Sequence, residues 1–203
     1  SMMQSVSIAK DVAFFEKELS LKFNSLEYMR YREFWRKKSP PSKPEQERLT
    51  LLREGKAKIQ ILDVIPSDYT PYSLGANFTK TFPDEFVSIG GSVKFDDIQV
   101  ITSTRTFDLI LINHQSFFRD SPKFMDIINT INVNKRHEEL IRPTILVTSL
   151  YHSFFGGAMD LYDLKLAYQK GFQGYLHLDH RVDRIKSMVK TAVLDKSYFF
   201  YPT

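Results

Sequence analysis

No cysteine occurs among the 203 residues. That excludes disulfides and thiolate metal sites, and it fits a reducing compartment, so a cytoplasmic protein is expected. No apolar run is long enough to cross a bilayer, and no signal peptide is recognisable. Ser1 ahead of Met2-Met3 reads as a cloning remnant before a start methionine, consistent with a longer natural chain. There is no dinucleotide or phosphate-loop fingerprint, since Gly90-Gly91 and Gly156-Gly157 are bare pairs. Ser149 and Ser153 near His152 lack the context of a nucleophile elbow. Internal repeats and low-complexity segments are also missing. Charge of one sign is scarce: the net value is +4, which permits an acidic partner without requiring one. What the chain does have is 42% hydrophobic and 14% aromatic residues, enough to fill a core.

The strongest signal is FDLILINHQ, Phe107 to Gln115. It is an almost wholly apolar strand that ends abruptly in polar residues. A strand without alternation is buried on both faces, as in the middle of a parallel sheet covered by helices. KIQILDV (58–64) and PTILVTS (143–149) read the same way, with shorter strands at 85–89 and 174–178. Between them, helices are expected over about 93–102, 121–132, 158–170 and 181–194. Val182, Ile185, Val189 and Ala192/Val193 form the apolar face of the last one. Residues 67–83 read as an irregular crossover, because Pro71 and Gly75 make a poor helix, and Gly90-Gly91 reads as a turn. The alternation predicts an α/β fold with a doubly wound, five-stranded parallel sheet.

Residues 1–55 read as an N-terminal helical extension with a Pro-rich linker, and 56–203 as the α/β domain. From about Val6 to Lys38 the pattern is helical. Ile8, Val12, Phe15, Leu19, Leu26 and Met29 form an apolar stripe interrupted by Lys22. Such a stripe either packs on its own domain or pairs with a second copy, and a homodimer through this helix is expected. Its end mixes Arg30, Arg32, Arg36, Lys37 and Lys38 with Tyr31, Phe34 and Trp35. Cations there suit the helix dipole. The same mixture could grip single-stranded nucleic acid, but no second basic cluster supports it. Pro40–Pro44 breaks the helix, and Pro44 opens a short one through Glu54, closed by Gly55.

Several landmarks fall at the carboxyl ends of successive strands: Asp63, Asn113 after Asp108-Leu-Ile-Leu-Ile, Thr148, and the G-x-x-G-Y-L turn from Gly171 to Leu176. In order and spacing, residues 58–194 resemble the receiver domain of two-component response regulators. The resemblance implies a flavodoxin-like sheet in the order 2-1-3-4-5. It also implies a pocket in which a carboxylate ending the third strand attacks a phosphoryl group. Acids ending the first strand hold Mg²⁺ there, and a Lys ending the fifth pairs with the phosphate. This chain departs from that pattern. Asn113 stands at the nucleophile position, Val64 follows Asp63 where a second acid is usual, and Leu178 stands at the Lys position. Thr148 and Tyr175 match the responding Thr and the switch aromatic. The resemblance therefore implies a degenerate pseudo-receiver that is not phosphorylated by the usual Asp route. Such a module is non-catalytic, has no cofactor, and signals or scaffolds through a protein partner. The alternatives are a nucleic-acid-binding regulator and an enzyme on the same scaffold with an unrecognised site. His114, His177 and His180 fall near one sheet edge, but His177 alternates with Leu176 and Leu178, and no metal site is expected.

Overall fold

The long apolar strands form one parallel sheet because neither of their faces tolerates water. The structure, a computed structural model, describes residues 21–22, 25–38, 40–65, 73–94, 97–113, 126, 129, 141–149, 161–169, 171–177 and 182–196. Helices α1 (Leu26–Lys38) and α2 (Lys43–Arg53) lead into β1 (Ile59–Ile65), α3 (Leu74–Thr81), β2 (Phe86–Lys94) and α4 (Ile98–Thr104). Then come β3 (Leu109–Asn113), β4 (Thr144–Ser149), α5 (Leu161–Gln169), β5 (Phe172–His177) and α6 (Val182–Asp195). The helix expected over 121–132 lies outside the described residues, apart from helical positions 126 and 129. The five strands are ordered β2-β1-β3-β4-β5, with every neighbouring pair parallel. This is the flavodoxin-like order that the sequence leads one to expect.

One face of the sheet presents Ile61, Leu111, Leu146 and Leu176 to a core shared with Leu74 and Phe78 of α3 and with Ile185, Val189, Ala192 and Val193 of α6. Those α6 residues are the ones its 3.6-residue period picks out. Leu49 and Leu52 of α2 join the same core. Leu62, Val64, Ile110, Ile112, Ile145 and Val147 alternate with these residues along the strands and are equally buried, so both faces are covered.

The sequence misleads at three places. Gly90-Gly91 does not turn the chain. β2 runs straight through it, and the register with β1 shifts between Ile61 (opposite Ser88) and Asp63 (opposite Ser92). The glycines sit in a bulge, the other use of Gly in a strand. The following helix accordingly starts at Ile98, not near Val93. The crossover after β1 contains a true helix, α3, despite Gly75. Ser73 caps it by accepting a hydrogen bond from the Ala76 N–H at 3.0 Å.

Lastly, the helix expected from Val6 to Lys38 is not continuous. Ser25 Oγ accepts from the Tyr28 N–H at 3.2 Å and donates to the Lys22 carbonyl at 2.9 Å, which starts α1 afresh. The restart changes which face is buried. Leu26 is 64% and Met29 47% exposed, while Tyr28 and Arg32 are buried. Tyr28 meets Tyr168 of α5 edge-on at 6.4 Å, and the Arg32 guanidinium lies over the Tyr168 ring at 5.4 Å. A Lys165–Glu27 ion pair of 3.0 Å and a hydrogen bond from Gln169 to the Tyr31 hydroxyl complete the contact. Thus α1 docks on its own α/β domain. Residues 1–20, which carry Ile8 to Leu19 of the stripe, lie outside the described residues.

Candidate functional site

In open α/β sheets, chemistry gathers at the carboxyl ends of the strands. Asn113 ends β3 and pairs in register with Thr148 of β4, which pairs with Leu176 of β5. Asp63 pairs with Leu111, two positions deeper than Asn113. Tyr175 pairs with Val147. Asn113 and Thr148 are therefore neighbours, and Asp63 lies further back along the sheet. Leu178 lies outside the described residues, as do four of the histidines, His114, His137, His152 and His180. Among the described residues, no group of three or more His, Cys, Asp or Glu side chains comes together as a metal site.

Asp63 is 4% exposed and faces the start of α3. Ser73 Oγ donates to Asp63 Oδ2 at 2.6 Å, and the Gly75 N–H also donates to the carboxylate. Ser73 thus links the acid to the helix end, accepting from the helix and donating to Asp63. A methyl group at residue 75 would collide with Oδ2, which is why glycine stands in the first turn of α3. Burial pushes the Asp63 carboxyl above its ordinary pKa, and the Ser73 and Gly75 hydrogen bonds only partly offset that. The charged form is therefore disfavoured in the fold. The folded chain holds this proton more tightly than the unfolded chain. Stability falls as pH rises from about 4 through the raised value, and the penalty is fully present at neutral pH. Asp63→Asn keeps an acceptor for Ser73 and removes the buried charge. It is expected to raise stability at pH 7 by about 1 kcal/mol and to give no gain at low pH. Urea denaturation at both pH values measures this, and a loss at pH 7 would show that the carboxylate itself is needed.

A second polar cluster lies at the opposite, amino-terminal edge of the sheet. Asp108 accepts both guanidinium hydrogen bonds of Arg48, at 2.9 and 2.7 Å, and a third from the Gln60 N–H at 2.8 Å. Glu45, 2% exposed, accepts from the Arg142 N–H at 2.8 Å and from its guanidinium at 3.3 Å. Lys196 follows α6 with φ 54°, a left-handed conformation usually left to Gly. Its ammonium donates to the Arg142 carbonyl at 3.1 Å and to Thr144 Oγ1 at 2.7 Å. Desolvation lowers its pKa to about 8.

These groups floor a cleft of about 180 Å³ between α1, α2, the amino ends of β4 and β5, and the end of α6. Gln173 lines this cleft, and its buried Oε1 has no hydrogen-bond partner. Sequence reasoning missed this edge entirely. The available signal was charge flanking the apolar runs, with Asp108 before β3, Arg142 before β4 and Lys196 after α6.

The basic, aromatic end of α1 does not form one patch. Arg32 is buried under Tyr168, Arg36 pairs with Glu33 at 2.8 Å, and Tyr31 stacks on Trp35 at 6.3 Å. Phe34 remains 51% exposed. Among the described residues, no helix is long and apolar enough to cross a membrane. Compared with known protein families and with curated proteins, the chain matches none. The topology is that of the flavodoxin-like class, which hosts many unrelated functions.

Proposed function

We propose that the chain is a non-catalytic pseudo-receiver, a signalling or scaffolding module that works through protein contacts. The observation that carries this reading is the use made of Asp63. The acid that a receiver would turn to Mg²⁺ is buried and holds Ser73 and Gly75 of α3. Asn113 at the phosphoacceptor position and Leu178 at the Lys position support the same reading, because neither an amide nor an alkyl chain can do the chemistry of the group it replaces. Incubation with acetyl phosphate or phosphoramidate is expected to leave the mass unchanged. Mg²⁺ is expected to bind no more tightly than about millimolar, since one buried carboxylate offsets little of the ion's dehydration. An acyl phosphate found by mass spectrometry, or a tight calorimetric titration, would overturn the reading.

The partner surface in this reading is the outer face of α1, where Leu26, Met29 and Phe34 are exposed on a helix anchored by its other side. A second copy of the chain is the proposed occupant. The paired change Leu26→Glu and Met29→Glu should then shift a dimer to monomer in sedimentation without lowering the melting temperature. A monomeric wild type at micromolar concentration would rule out self-association.

A further inference from the structure

The amino-edge cleft contains two local choices that the fold alone does not require. A glycine at 196 would end α6 with less strain than Lys196 at φ 54°. A buried amide oxygen without a donor, as at Gln173, is uncommon in a native interior. Both residues line the same cleft. The Lys196 ammonium carries three donors and uses two of them on Arg142 and Thr144. The Gln173 amide offers an acceptor or, after a half-turn, a donor.

Charge narrows the chemistry. Arg36, Arg53, Arg142 and Lys196 outnumber Glu45 and Asp195 along the lining, so the cleft favours an anion. The rest of the wall is mainly apolar, with Trp35 and Tyr168 among its side chains. At about 180 Å³ it is near the size of an apolar cavity that accepts a benzene ring, about 150 Å³. A phosphate dianion would find too few donors here to offset its dehydration.

We propose that this cleft binds a small carboxylate with a one-ring apolar body, Lys196 and Gln173 holding the carboxylate and Trp35 and Tyr168 flanking the ring. The proposal stands apart from the reading of the carboxyl edge. A ligand there would bridge α1, α2 and α6, and so tie the leading helices to the sheet.

Trp35 is the only tryptophan in the chain, so its emission reports on the cleft. The full chain is titrated with 3-phenylpropanoate and, separately, with neutral 3-phenylpropanamide. The acid should give a saturable change in emission, and the amide should bind at least about tenfold more weakly, as expected for loss of a charge-assisted hydrogen bond. Lys196→Gly should lose about tenfold in affinity for the acid while melting no lower than wild type. Gln173→Leu should weaken the acid in the same direction. No saturable response, equal binding of acid and amide, or undiminished affinity in Lys196→Gly would each overturn the proposal. Inorganic phosphate binding more tightly than the acid would overturn it as well.

Discussion

Replacing Arg48 with methionine should destabilise the protein by about 3–5 kcal/mol, the range for removing one partner of a buried ion pair. Asp108 is 4% exposed and takes two of its three hydrogen bonds from that guanidinium. Methionine fills similar volume but leaves the carboxylate inside with only the Gln60 N–H. Arg48 also donates to the Lys58 carbonyl at 2.8 Å, so the same change loosens the entry to β1. Urea denaturation gives the size of the effect. The double variant Arg48→Met with Asp108→Asn should recover part of the loss, because the stranded charge is gone. A single-variant loss under about 1 kcal/mol would mean that water reaches Asp108 readily.

Phe78→Ala is expected to cost a similar amount, about 3–5 kcal/mol, from lost burial and an unfilled cavity. Phe78 is fully buried, with ring centroids 4.7 Å from Phe86 and 5.9 Å from Phe82. It anchors α3 to the sheet, and the start of α3 holds Asp63. Partial release of the helix should therefore bring the Asp63 carboxyl back toward its ordinary pKa, shrinking the difference in stability between pH 5 and pH 7. Either change removes a large share of the roughly 5–15 kcal/mol that stabilises a domain. A Phe78→Ala loss near that of an exposed substitution would show that α3 is held mainly by its cap.

What could be read from the sequence follows the range of the interactions. β1, β3 and β4 were legible because burial on both faces leaves unbroken apolar runs, and strand order followed from their alternation with helices. The apolar face of α6 was legible residue by residue, since a 3.6-residue period is local. Gly90-Gly91 was misread because the dipeptide suits a turn and a bulge equally, and only the neighbouring strand decides. The stripe through Leu26 and Met29 was misread because Ser25 restarts the helix and rotates the buried face to Tyr28 and Arg32. At the carboxyl edge, Asp63 was found, but its engagement with Ser73 depends on a helix that Gly75 appeared to forbid. The amino edge was illegible. Arg48 and Asp108 are 60 residues apart, and Glu45 and Arg142 are 97 apart, beyond any local pattern.

The bulge in β2 has a consequence for how copies of this chain can meet. β2 lies at the margin of the sheet, where one side of its backbone has no strand neighbour. A flat margin of that kind is a template on which another chain can add a strand, the first step toward fibrous aggregation. The register shift opposite Ile61 and Asp63 breaks the regular spacing of those backbone groups midway along the strand. A docking strand would find continuous partners on only one side of the break. Strand-by-strand growth is disfavoured along this margin, and orderly association is left to the helices.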